Sequence, residues 1–304
     1  MSKKILFFGN ERLATGVATA APVLQGLIEA GFEVAALVIA QSEPGQSRQP
    51  RQLEVAALAE RHNIPVLALE NLAESADQLR SFGAEAAVLV AYGKLVPPDI
   101  INLFPSGIIN VHPSLLPQFR GSTPLESVIL DGALETGVSL MRLVAEMDAG
   151  PLFAQQKVPL TGRETKQELA DKLSKIGSEM VLQNLPKILD GSLRPQPQSG
   201  EPTLSQQIEK QDGRLDFAKP AIRLEREVRA YAGWPRSHTT IGKTEVIITK
   251  AHVTEGQGPA GKTWQEGRQF GIYTTPGILV IDHLIPAGKK EMPAAAFLAG
   301  HSIS

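Results

Sequence analysis

Two polar side chains interrupt an otherwise apolar run in Ile108-Ile109-Asn110-Val111-His112-Pro113-Ser114-Leu115-Leu116-Pro117. In a strand, successive side chains alternate faces, so Asn110 and His112 point the same way. Pro113 cannot donate to a ladder and holds His112 extended, which ends the strand there. A carboxamide offers an amide donor, and an imidazole exchanges a proton near neutral pH. Asp148 follows a second predicted strand and can reach the same edge to orient or charge the imidazole. An amide donor, an imidazole and a carboxylate suit transfer of an acyl group directly between two substrates. The amide would stabilise a tetrahedral oxyanion, and His with Asp would manage the proton. The same residues also fit turns: Asn-x-His at a strand end caps a turn, and Asp148 stands before Ala149-Gly150-Pro151.

Other chemistries find less support. Ser114 lacks the Gly-x-Ser-x-Gly context of an activated nucleophile, and hydrogen bonding within its loop accounts for it. There is no cysteine, which removes thiolate nucleophiles and disulfides and fits a reducing compartment. His62, His112, His238, His252, His283 and His301 show no His-x-x-x-His spacing, so no metal is expected. Gly9-Asn10-Glu11-Arg12 lacks Gly-x-Gly-x-x-Gly, which disfavours a dinucleotide.

The elements that must position these residues read as α/β. Lys4 to Gly9 is a buried strand, 14–30 a helix, and 33–39 a second strand, a βαβ opening that predicts a parallel sheet. Residues 41–52 form a polar loop with Arg48 and Arg51. Helices are expected over 53–62, 72–82 and 97–103, and strands over 66–69 and 86–91. Thr123-Pro124-Leu125-Glu126 and Thr165-Lys166-Gln167-Glu168 both have capping-box spacing and open helices. Residues 137–143 and 151–159 read as strands, the second antiparallel.

Three prolines (Pro195, Pro197, Pro202) stiffen a segment after Gly191 that reads as an extended spacer. The expected organisation is a catalytic domain over 1–190, a linker over 191–207 and a β-rich barrel domain over 208–304. Residues 208–304 hold 13 basic and 10 acidic side chains, +3 in a chain of net charge −2. The overall balance gives no strong pull towards nucleic acid or membrane. The run Ile5 to Phe8 is too short for a leader or a membrane span, so cytoplasm is the expected location.

The segment Asn110 to Pro117, with Phe119-Arg120-Gly121, Pro124, Glu135-Thr136-Gly137-Val138 and Asp148-Ala149-Gly150, resembles the formyltransferases that use 10-formyltetrahydrofolate. The resemblance runs nearly end to end. Trp234-Pro235 and Pro286-Ala287-Gly288-Lys289-Lys290-Glu291-Met292 resemble the branch of that family that acts on methionyl initiator tRNA. It implies a Rossmann-like formyltransferase domain with a mostly parallel sheet, then a small OB-like β-barrel that helps hold tRNA.

The resemblance also implies roles for particular residues. Asn110, His112 and Asp148 would be catalytic. Ser114, Leu115, Leu116 and Pro117 would line the folate site, with Val90, Tyr92, Gly93 and Leu95 around the pterin. Arg48, Arg51, Lys250, Lys289 and Lys290 would contact tRNA. The formyl donor would be 10-formyltetrahydrofolate with no metal, and the protein would act as a monomer away from membranes. A formyltransferase acting on an amino-sugar nucleotide or another small amine would share the trio. A third reading, a folate- or tRNA-binding protein without turnover, is one the intact trio argues against. The chain departs from the family in Gly9-Asn10-Glu11, where Gly-Thr-Pro is usual, and in a 41–52 loop with only two arginines.

Overall fold

A computed structural model of the chain describes residues 4–40 and 53–302. Arg48 and Arg51 lie outside the described residues. The chain divides into two compact units. One comprises Met1–Leu125, Glu135–Leu160 and Glu168–Gln206; the other comprises Glu126–Leu134, Thr161–Gln167 and Gln207–Ser304.

The first unit is built on a seven-stranded sheet. Its strands in chain order are β1 (Lys4–Gly9), β2 (Glu33–Ala40), β3 (Val66–Leu69), β4 (Ala86–Val90), β5 (Ile108–His112), β6 (Glu135–Arg142) and β7 (Leu152–Pro159). Their spatial order is β3-β2-β1-β4-β5-β6-β7. Pairings from β3 through β5 are parallel, and β6 and β7 add on antiparallel. β4 and β5 are buried at every position, the pattern of parallel strands covered on both faces. The order reverses between β1 and β4. Such a switch point leaves a crevice beyond the carboxyl ends of the strands, which is where open α/β sheets take ligands.

The helices are shorter than periodicity implies. The helix expected over 14–30 is only α1 (Pro22–Glu29). Pro22 at its start and Ala21 in the left-handed region (φ 52°) prevent it from beginning earlier. Residues 10–21 are therefore a long turn. The remaining helices here are α2 (Glu54–Arg61), α3 (Ala76–Ser81), α4 (Pro98–Ile101), α5 (Pro124–Asp131) and α6 (Lys166–Leu189). Most of α5, and the first two residues of α6, group with the second unit.

Residues 191–206 are not a free spacer. Leu152 and Gln196 exchange backbone hydrogen bonds (2.7 and 2.8 Å), and Leu204 bridges Arg120. The proline-rich segment is thus laid across the first unit.

The second unit curls an antiparallel sheet around its own core. Its strands are β8 (His238–Ile241), β9 (Thr244–Thr254), β10 (Thr263–Glu266), β11 (Gln269–Tyr273), β12 (Ile278–Pro286) and β13 (Met292–Pro293), ordered β10-β11-β12-β9-β8 with β13 on β12. Irregular register between β12 and β9 around Ile281–Leu284 gives the bends a curled sheet needs. The core joins Val246, Ile248, Phe270, Leu279 and Ile281 to helices α7 (Ala221–Ala230) and α8 (Ala294–Leu298). Phe270 stacks on Phe297 at 6.0 Å between ring centres.

A buried ion pair sits in the same unit. Lys166 Nζ donates to Glu126 Oε1 (3.2 Å) and to the Trp234 carbonyl (3.0 Å). Burial pulls the Lys166 pKa down and pushes that of Glu126 up, with the opposite charge of each partner resisting. Among the described residues no helix is long and apolar enough to cross a membrane.

Candidate active site

β5 carries the two residues from which the site is built. Its ladder with β4 ends at Leu89–Asn110, and β6 supports the other edge by pairing Asn110 with Met141 and His112 with Ser139. Asn110 and His112 are 7% and 5% exposed, so both sit in a low-dielectric wall. They line a cavity of about 1080 Å³, bounded by the turn after β1 (Asn10, Arg12 to Ala18), the loop after β4 (Ala91 to Val96) and the loop 143–148. That volume accommodates a drug-sized ligand with room for a second reactant. The cavity lies beyond the ends of β1, β4 and β5, as the switch point implies.

The imidazole is oriented by two contacts. Nε2 lies 3.1 Å from the Phe119 carbonyl, and Nδ1 lies 3.6 Å from Asp148 Oδ2. A carbonyl can only accept, so the neutral ring carries its proton on Nε2 and leaves the Nδ1 lone pair towards Asp148. Nδ1 is therefore the basic atom, and a proton gained there faces a carboxylate. Asp148 is fixed in turn: its Oδ2 accepts from the Gly121 N–H (2.8 Å), and its backbone adopts the left-handed region (φ 48°), which Asp tolerates better than most residues. Two residues on, a Cβ at Gly150 would stand 1.8 Å from the Arg142 carbonyl, so only glycine lets this loop close against β6. The Asn110 carboxamide has no protein hydrogen-bond partner among the described residues and is available to a ligand.

Behind this wall the loop after β5 is pinned by buried polar contacts. Ser139 Oγ donates to the Ser114 carbonyl (2.6 Å) and accepts from the Leu116 N–H (3.1 Å). Gln155 Nε2 donates to the Leu116 carbonyl (2.8 Å). Ser114 Oγ donates to the Gln118 carbonyl, so it holds the turn and is no free nucleophile. Leu115 packs where a Cβ on Gly137 would come within 2.4 Å of it. The side chains from Ser114 to Pro117 are not among those lining the cavity, and neither is Val90. Tyr92, Gly93 and Leu95 do line it, with Leu95 77% exposed. Burial raises the Tyr92 phenol above its usual pKa.

The turn after β1 contributes groups that sequence reasoning missed. Arg12 and Glu54 line the cavity as an ion pair (2.7 Å). Glu11 is fully buried, and its two oxygens accept from the Val23 and Leu24 N–H groups at the start of α1 (2.9 and 2.8 Å). Burial outweighs those donors and lifts its carboxyl to about 7. No motif marks these positions; the only signal is an acidic residue between Asn10 and Arg12 directly after a buried strand. Among the described residues no cluster of His, Asp or Glu could hold a metal ion.

The lysines expected to meet tRNA lie on the second unit. Lys250 faces His283 across the β9–β12 ladder, and His283 also pairs with Pro293 of β13. Lys289 and Lys290 occupy the turn before β13, and all three lysines are exposed. A hydrogen bond from Thr249 Oγ1 to Glu291 (2.6 Å) ties that turn to β9.

Residues 3–185 match the family model described as formyl transferase, and residues 207–302 match the formyl transferase C-terminal domain. The chain belongs to the formyl transferase family. Among its curated relatives, the methionyl-tRNA formyltransferase of Myxococcus xanthus is 36% identical over 305 residues, covering 99% of this chain and 96% of the relative. Two solved structures share the fold. HypX from Aquifex aeolicus in complex with tetrahydrofolic acid matches with a TM-score of 0.67 at 19% identity, covering 98% of this chain and 47% of that one. The sugar 3N-formyl transferase WlaRD, solved with dTDP and 5-N-formyl-THF, gives a TM-score of 0.67 at 17% identity, covering 95% of this chain and 100% of that one.

Proposed function

We propose that this enzyme moves the formyl group of 10-formyltetrahydrofolate to the α-amine of methionyl initiator tRNA. The observation that carries the reading is the convergence of Asn110, His112 and Asp148 on one cavity, in a chain that aligns from end to end with a methionyl-tRNA formyltransferase. The neutral amine attacks the formyl carbon; a C–N bond forms and the carbonyl oxygen becomes an oxyanion. The Asn110 carboxamide donates to that oxygen, where the hydrogen bond strengthens as charge develops. His112 Nδ1 takes the extra proton from the attacking nitrogen, and the nearby Asp148 carboxylate stabilises the resulting imidazolium. Collapse breaks the bond to N10 of the folate, and the same proton passes to N10, so no proton is gained or lost overall.

Tyr92, Gly93 and Leu95 form the cavity wall offered to the pterin. Pro113 is the only member of the Pro113 to Pro117 run on that wall, so Ser114 to Pro117 serve the folate site by shaping the loop from behind. Lys250, Lys289 and Lys290 offer exposed cationic groups to tRNA phosphates, and Arg48 and Arg51 are further candidates for tRNA contact. The test is a formylation assay with 10-formyltetrahydrofolate that compares methionyl initiator tRNA with an amino-sugar nucleotide. Transfer to the tRNA with none to the sugar supports the reading, and the reverse selectivity replaces it with the small-amine alternative.

A further inference from the structure

We infer that Gln198, in the proline-rich segment laid across the first unit, is a positioning residue for the candidate catalytic pair His112–Asp148. The inference rests on the formyl-transfer reading of that site. All four hydrogen-bonding sites of the Gln198 amide are used. Its Oε1 accepts from Arg120 Nη2 (2.8 Å) and Nε (3.3 Å). Its Nε2 donates to the Asp148 carbonyl (2.7 Å) and the Gly150 carbonyl (2.8 Å). A guanidinium only donates and a carbonyl only accepts, so this network fixes which end of the amide points which way.

These contacts join the two loops that hold the imidazole. Arg120 follows Phe119, whose carbonyl meets His112 Nε2, and Asp148 itself faces His112 Nδ1. The rest of the segment reinforces the clamp. Thr203 Oγ1 accepts from the Phe119 N–H (2.9 Å), the Thr203 carbonyl accepts from the Arg120 N–H (2.9 Å), and Ser205 N–H donates to the Arg120 carbonyl (2.7 Å). Phe119 and Asp148 both sit in the left-handed region (φ 56° and 48°), conformations that surrounding contacts must maintain. Gln198 touches neither the cavity nor the reacting atoms; it sets the distance between groups that do.

The test is a double-mutant cycle on formylation. Gln198→Ala should lower kcat about 30-fold and leave the KM for the formyl donor within about twofold, since a displacement near 1 Å at a reacting group costs on the order of 100-fold. In an Asp148→Asn background the same change should cost less than about threefold, because the group it positions has already been disabled. Gln198→Glu keeps the Arg120 contact but turns an acceptor on two carbonyls, and should be as slow as the alanine variant. Thr203→Val, which removes one hydroxyl from the clamp, gives a milder second reading should Gln198→Ala fold poorly. Equal losses in both backgrounds, a loss confined to KM, or an unchanged kcat would overturn the inference. If Asp148→Asn alone retains full activity, the catalytic reading has failed, and the clamp then has nothing to position.

Discussion

The buried carboxyl of Glu11 makes stability depend on pH in a direction that can be calculated. Its pKa rises from 4.5 to about 7 because burial penalises the charged form more than the Val23 and Leu24 N–H groups favour it. The folded state therefore binds this proton more tightly than the unfolded chain does. The associated stability is complete below about pH 4.5 and is lost as pH rises through about 7. A shift from 4.5 to about 7, at 1.36 kcal/mol per unit, corresponds to about 3 kcal/mol. Glu11→Gln keeps the shape and one acceptor but cannot ionise. Thermal melts of both proteins at pH 5 and pH 8 isolate the contribution, because other titrating groups cancel in the difference.

About 2.5 kcal/mol of this falls between pH 5 and pH 8, so relative to wild type the Gln variant should gain roughly 5–10 °C in Tm over that interval, at about 2–4 °C per kcal/mol. If the gap between the two proteins is the same at both pH values, Glu11 is ionised in the folded protein throughout and the burial argument is wrong. The consequence would extend to the cavity, since Glu11 anchors the turn from Asn10 to Ala18 that forms one of its walls.

Three further outcomes are expected. Asn110→Ala should lower kcat about 100-fold or more, as for loss of an oxyanion donor, with protein stability little changed; a near-normal kcat in steady-state assays would remove the carboxamide from the mechanism. Lys166→Met should destabilise by about 3–5 kcal/mol in urea titrations by stranding the Glu126 carboxylate in a dry interior, whereas Lys166→Met combined with Glu126→Leu should recover most of that loss; equal losses would mean the pair is solvated. Lys289→Ala with Lys290→Ala should weaken tRNA binding and reduce the magnitude of the slope of log K against log salt by about 1 for each lysine that meets a phosphate, and an unaltered slope would place the tRNA elsewhere.

The parts of this protein that could be read from sequence are those governed by local rules. β5 was visible because apolar alternation and Pro113 both mark its end, and Asn110 and His112 share a face through strand geometry alone. Asp148 was visible as a carboxylate in a loop after a strand. The alanine-rich stretch 14–21 reads as helix, whereas Pro22 and the left-handed Ala21 decide where α1 starts. Gln198 could not be found this way, because its partners are 48 to 78 residues away and two of them are backbone carbonyls. Nor could the sequence separate the cavity wall from what supports it. Ser114 to Pro117 stand out as a motif, yet they are held by Ser139, Gln155, Thr203 and the loop's own backbone, with Leu115 against Gly137.

The contact between His112 and the Phe119 carbonyl has a consequence for how this loop can vary. The imidazole is oriented by a backbone atom seven residues on, which every amino acid possesses. Replacing the side chain at 119 leaves that carbonyl in place if the new residue accepts a positive φ. Inserting or deleting one residue between 113 and 118 carries the carbonyl away and releases the ring. Position 119 is therefore constrained by loop length and backbone conformation before side-chain identity, whereas Ser114 and Leu115 are tied by their own side-chain contacts.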